Sequence, residues 1–248
     1  MSTDIEITDL GQFSKKFHKT YELFQSKLEN NEECGSYFAV YQGGACLIDL
    51  YGGYRDRDKK NKWDQDTIVN VHSTSKGIVA MIVAKLIDEG NLELNKNVSD
   101  YWPEFSELGK ENIKVKTLLS HQAGLYGWRQ SIDETDFYNW DYVVNLLAKQ
   151  EPYHKPEEKI CYHPKTIGFL VGELIKRVTN KSVGKNLEDL LNHPLKTKCF
   201  IGTPLTYHDN IAELISSESL RQAFSNPQNV DEYLRNRRAI MKAQKRSD

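Results

Sequence analysis

The chain has 248 residues, enough for one large domain or two small ones with a real hydrophobic core, so it does not need the disulfides or metals that hold very small domains together. Its 33 Lys and Arg are interspersed with 35 Asp and Glu, and the formal net charge of -2 excludes the basic footprint of a nucleic-acid-binding protein. The four cysteines, Cys34, Cys46, Cys161 and Cys199, form no C-x-x-C pair, which excludes a zinc ribbon or a thioredoxin-like site and leaves buried free thiols as the expectation.

Residues 1–12 are acidic and lack the cationic start and apolar middle of a secretory signal, so a cytoplasmic location is expected. Phe13, Phe17, Tyr21, Phe24 and Leu28 recur at spacings of three and four and predict a one-sided helix over 13–28. Two β-prone runs, 37–41 and 45–51, are separated by Gln42-Gly43-Gly44 and read as a hairpin. After a charged loop at 56–66, a third short strand is expected at 67–71.

Residues 73–89 are apolar around more than half of a helical circumference and predict a buried helix, with Gly90 placed for a left-handed cap. The longest apolar run, 78–84, falls far short of the ~20 residues a membrane span needs, so no span is expected. Further helices are predicted at 115–119, 142–149 and 167–178. Past Pro204 the pattern weakens, with short helices expected at 211–215 and 230–245, the second carrying a solvated basic face.

Serine is a poor nucleophile until a base takes its proton. Ser73-Thr74-Ser75-Lys76 supplies a lysine three residues on, and i and i+3 side chains of a helix share one face at about 5–6 Å between Cβ atoms. Burial and the positive end of the helix would favour the neutral amine of Lys76. The same helix end offers the Ser73 backbone N–H to a developing oxyanion. S-x-x-K is a short pattern, and what singles out this copy is its setting between a β-prone run and a strongly apolar helix.

The stretch from Asn70 to Gly77, Asn-Val-His-Ser-Thr-Ser-Lys-Gly, resembles the first motif of the serine β-lactamase and penicillin-binding-protein superfamily, and more closely its β-lactamase-related (class C-like) esterases. The likeness continues through Leu86-Ile87-Asp88-Glu89-Gly90, through Leu118-Leu119-Ser120-His121-Gln122-Ala123-Gly124-Leu125, and through Tyr162-His163-Pro164, which matches the second motif. It implies an α+β, β-lactamase/transpeptidase-like fold: a helical region around the S-x-x-K helix plus an antiparallel sheet. It also implies that Ser73 is the nucleophile, Lys76 its proton-accepting or field-supplying partner and Tyr162 a phenolate-like base. The resemblance requires no cofactor and no metal, and no H-x-x-x-H or H-E-x-x-H spacing is present. His121 is read as structural, because this chemistry uses no histidine base.

Two departures shape the expected function. Pro164 stands where the β-lactam-active branch carries an Asn, which favours an ester or amide over a β-lactam. The third motif, a Lys-Thr-Gly or His-x-Gly strand, has no counterpart after Tyr162. The resemblance therefore implies a domain at 1–204 whose sheet lacks its C-terminal strands, a divergent helical tail at 205–248, and a chain that is a fragment, a truncated isoform or an incomplete gene model. The expected function is a serine hydrolase that forms an acyl-enzyme on Ser73 and acts on a small-molecule ester or amide. The alternatives are an inactive scaffold that self-associates through an exposed sheet edge, and a D-amino-acid peptidase or transpeptidase.

Overall fold

The computed structural model describes residues 4–215, which form two compact units. One takes in the described residues up to Asn70 together with those from Asp209, and the other spans Val71–His208.

The first unit is built on four strands, β1 (Ile5–Thr8), β2 (Gly11–Ser14), β3 (Gly35–Gln42) and β4 (Ala45–Gly53), in an antiparallel sheet of order β1-β2-β4-β3. β3 (Gly35–Gln42) and β4 (Ala45–Gly53) form the expected hairpin, and Gln42 pairs with Ala45. The two-residue turn between them has positive φ at both Gly43 and Gly44, +56° and +79°, the geometry whose twist matches that of the flanking strands. β3 is an edge of the sheet, with Tyr37, Phe38 and Tyr41 exposed along it.

The helix expected at 13–28 begins later. Phe13 belongs to β2 (Gly11–Ser14), where it pairs with Glu6 of β1 (Ile5–Thr8) and Ile48 of β4, and α1 covers only His18–Glu29. Phe13 points into the same small core as Phe17, Tyr21 and Phe24, and its ring stacks on Tyr21 at 4.5 Å. A strand residue and a helix residue that share one core thus imitated a helical period. Gly11, at φ +114°, admits the crossing from β1: a Cβ there would lie 2.2 Å from the Asp49 carbonyl oxygen.

The strand expected at 67–71 and the helix expected at 211–215 are also corrected. Ile68 makes an isolated parallel bridge to Ile211, with Ile68 N–H donating to the Asn210 carbonyl at 2.8 Å and Ala212 N–H to the Ile68 carbonyl at 2.7 Å. Backbone groups that would have closed a helical turn at 211–215 are used across the chain instead. The helix expected at 230–245 lies outside the described residues, as does most of the expected tail.

The second unit is helical around one core that includes Trp102, Phe105, Leu118, Leu125, Leu147 and Leu170, all within 1% of full burial. Each such side chain stabilises the fold by roughly 1.5–3 kcal/mol relative to exposure. α2 (Ser75–Asp88) follows a 3-10 turn at His72–Thr74 and buries Ile82, Val83 and Leu86. Its opposite face, Gly77, Ala80, Met81 and Ala84, is exposed, so the helix expected to be buried is buried on one side. Gly90 caps it at φ +73°, and the Asn91 N–H reaches back to the Leu86 carbonyl at 2.8 Å.

α3 (Val115–Leu119), α4 (Trp140–Lys149) and α5 (Thr166–Thr179) form where their apolar periodicity predicts, and α5 stops at Asn180 in the left-handed region. α6 (Val183–Leu187) was not anticipated, although Ser182 caps it by accepting the Lys185 N–H. No helix among the described residues is long and apolar enough to cross a membrane.

Candidate active site

Three residues singled out in the sequence meet within the helical unit. Ser73 lies in the 3-10 turn that feeds α2, next to His72, whose φ of +47° is left-handed. For a residue with a Cβ that conformation costs roughly 1–2 kcal/mol, and here it sets the bend in front of the serine. Lys76, one turn on, donates from Nζ to Ser73 Oγ at 3.1 Å. Tyr162 arrives from the segment before α5, 89 positions further along, and its hydroxyl donates to the same Oγ at 3.0 Å.

Lys76 Nζ also stands 5.2 Å from the centre of the Tyr162 ring. The hydrogen bond with Ser73, then that with Lys76 and the Lys76 charge, hold the Tyr162 hydroxyl below the usual phenol range. Ser73 is exposed, Lys76 half-buried and Tyr162 51% exposed, so the enclosure expected around the lysine is partial. What polarises the group is the arrangement of donors more than burial.

Tyr162 is held by its neighbours. Cys161 N–H donates to the His121 carbonyl at 3.1 Å, and His163 N–H donates to His121 Nδ1 at 3.1 Å. The His121 ring packs on the Tyr162 ring at 5.0 Å. Because Nδ1 accepts, the neutral His121 ring carries its proton on Nε2. Burial first, then the Lys76 charge, lower the His121 pKa and favour that neutral form.

His163 is fully buried, donates from Nδ1 to the Cys161 carbonyl at 2.6 Å, and accepts the Leu125 N–H on Nε2 at 3.0 Å. Both ring nitrogens are satisfied by one neutral tautomer, and burial pushes its pKa down to about 4. The loop that meets it turns at Gly124, φ +70°, where a Cβ would come within 2.6 Å of the His154 carbonyl oxygen.

Read along the chain, His163 stands only as the middle of Tyr162-His163-Pro164, without a role of its own, and His121 as structural. Their contact could not be read along the chain, because it joins positions 42 residues apart. The available signal was adjacency: His163 follows Tyr162 directly. Pro164, next in line, borders a cavity of about 990 Å³ that begins at Lys76, Ser75 and His121 and continues along α2 and α5. Among the described residues no three His, Cys, Asp or Glu side chains group as metal ligands.

A protein-family model described as Beta-lactamase matches residues 22–225. Esterase/beta-lactamase LipL of Mycobacterium tuberculosis (strain ATCC 25618 / H37Rv) is 30% identical over 187 residues, covering 75% of this chain and 43% of that protein. Teichoic acid D-alanine hydrolase of Staphylococcus aureus is 28% identical over 181 residues, covering 73% of this chain and 43% of its own length. Among solved structures, a family VIII carboxylesterase superposes with a TM-score of 0.78 at 35% identity, covering 85% of this chain and 58% of that one. The chain thus spans less than half the length of these two curated relatives.

Proposed function

This chain belongs to the beta-lactamase family, and from that premise we propose that it is a serine hydrolase that forms an acyl-enzyme on Ser73 and hydrolyses a small ester or amide. The observation that carries the proposal is the convergence of Tyr162 and Lys76 on one serine oxygen, at 3.0 and 3.1 Å.

In the first half-reaction the Tyr162 phenolate takes the Ser73 hydroxyl proton as Oγ bonds to the substrate carbonyl carbon. The Lys76 ammonium stabilises the phenolate before this transfer and donates to Oγ during it. The tetrahedral intermediate collapses when the alcohol or amine leaves with the proton now on Tyr162. In the second half-reaction Tyr162 takes a proton from water, the hydroxide adds to the acyl carbon, and Ser73 Oγ departs with that proton. The Ser73 N–H, at the start of the helical turn, supports the oxyanion in both.

Pro164 favours an ester or amide over a β-lactam, since it brings no side-chain amide beside Tyr162. The relative named for D-alanine hydrolysis makes D-alanyl esters and peptides a required arm of the substrate panel.

The test is intact-mass spectrometry after incubation with a fluorophosphonate probe, with Ser73→Ala alongside. One adduct, lost in the variant, is expected. A folded chain that takes no adduct overturns the proposal in favour of a non-catalytic scaffold.

A further inference from the structure

The cavity beside the candidate site has a chemistry that its mouth does not share. At the mouth stand His72, Ser75, Lys76, His121 and Lys165, all polar. Beyond it, α2 contributes Val79, Ala80, Val83, Ala84 and Ile87, and α5 contributes Ile167, Gly168, Phe169, Val171 and Gly172. Trp140, Lys176 and Ser182 also line the cavity, and each is already hydrogen-bonded within the protein: Trp140 Nε1 donates to Glu173 at 2.7 Å, Lys176 Nζ donates to Asp141 at 3.2 Å, and Ser182 Oγ accepts the Lys185 N–H at 3.2 Å. A polar ligand would lose its water there without gaining a partner, whereas hydrocarbon gains contact on both sides.

The shape points the same way. Both helices begin at the site, α2 two residues after Ser73 and α5 four after Tyr162. From Ser75 to Ile87 the α2 wall runs about 18 Å at 1.5 Å per residue. Ala80 and Ala84 on one side, and Gly168 on the other, leave room for a ligand, while further along α5 the Trp140 ring and Val183 lie against Gly172. Phe200 and Ile201 border it as well.

We infer that this cavity is an acyl-chain channel, and that the substrates of the chain are esters or amides whose acyl group is an extended unbranched hydrocarbon lying between α2 and α5. The inference rests on the proposed acyl-enzyme at Ser73 and deepens it. The acyl carbonyl sits at Ser73 Oγ, and the chain enters past Lys76, whose Nζ is 3.1 Å from that oxygen. Each methylene that enters the channel tightens binding about fourfold. The leaving alcohol or amine stays on the open side of the site.

Gly168 offers a selective obstruction, because a Cβ added there meets nothing within 4 Å and the residue lies within α5. Gly168→Leu therefore projects into the channel without disturbing its neighbours. Ala84→Leu obstructs the facing wall and guards against misfolding of the first variant.

Two measurements test the inference. The first is fluorescence titration of Ser73→Ala with 11-(dansylamino)undecanoic acid, with and without each obstruction. Saturable binding, weakened tenfold or more by Gly168→Leu and Ala84→Leu, is expected. The second is kcat/KM for 4-nitrophenyl acetate, butyrate, octanoate and decanoate, which share one leaving group. A rise with chain length is expected, together with a tenfold or greater fall in the decanoate-to-acetate ratio in both obstructed variants.

Acetate turnover with no chain-length preference and no dansyl binding overturns the channel and leaves the hydrolase reading standing. Dansyl binding that the obstructions weaken, on a chain that turns over none of the esters, supports the channel and removes the hydrolase reading. Obstructions that change the oligomer mass by light scattering, and not the ligand affinity, assign the groove to a second copy and overturn the inference.

Discussion

His163 N–H donates to Nδ1 of His121 at 3.1 Å. With the Cys161 N–H bonded to the His121 carbonyl, this brackets Tyr162 on both sides, so one histidine fixes the backbone that delivers the proposed base to Ser73. The His121 ring packs on the Tyr162 ring and borders the mouth of the cavity, and its role proposed here runs through Tyr162. It is a positioning residue.

His121→Ala should therefore lower kcat by about 10- to 100-fold, the scale of a displacement of about 1 Å at a reacting group, and leave KM within a few-fold. His121→Asn should recover part of the loss. Its amide oxygen can accept the His163 N–H, and Asn tolerates the left-handed φ of +62° found at this position. Steady-state kinetics of the two variants check this; equal loss in both would assign His121 to packing alone.

Tyr162 titrates below the ordinary phenol range because of its hydrogen bonds with Ser73 and Lys76 and the Lys76 charge. With the Tyr162 phenolate as the proposed base, kcat/KM should rise with pH through a limb that lies below the phenol value of about 10. Lys76→Met removes both the bond and the charge, and should move that limb to higher pH. Tyr162→Phe should lower kcat/KM by about 10²- to 10⁴-fold and abolish the limb. A pH–rate series from pH 6 to 11 on the three proteins reads all of these outcomes.

His163 links the site to acid stability. Its folded pKa of about 4 lies below the ordinary value of 6.5, so between these values the unfolded chain binds the proton and the folded chain does not. The contribution is complete above about pH 6.5 and is lost as pH falls toward 4, to a total of about 3 kcal/mol. Urea unfolding at pH 7.5, 5.5 and 4.5 should show this acid-side loss. In His163→Gln, which does not titrate, that part of the pH dependence should disappear.

Lys110 is fully buried, with Nζ donating to the carbonyls of Glu107 at 2.5 Å and Gln150 at 2.6 Å. Burial pushes its pKa down to about 8 from the ordinary 10.5. Here too the unfolded chain binds the proton more tightly, so stability should rise as pH increases from about 8 to 10.5. Lys110→Met should flatten that rise, and it tests whether the two carbonyls need the ammonium. A net loss above about 1 kcal/mol at pH 7, by urea unfolding, would show that the hydrogen bonds outweigh the buried charge.

Elements whose signal is local are legible along the chain. The β3–β4 hairpin follows from two β-prone runs around Gly43-Gly44, and α3, α4 and α5 follow from apolar periodicity. The S-x-x-K spacing placed Lys76 beside Ser73, because i and i+3 share a helical face. Tyr162 was named through family resemblance, as nothing local distinguishes it from any other tyrosine.

Long-range packing set the remainder. It put Phe13 in a strand, where it shares the Tyr21 core, and drew 211–215 into a bridge with Ile68. Through packing it brought Tyr162 and His121 together, opened the channel between α2 and α5, and lowered the His163 pKa. One cause is common to all of these. Each depends on contacts between residues distant in the chain, and such contacts form once the apolar faces of separate elements are buried against one another.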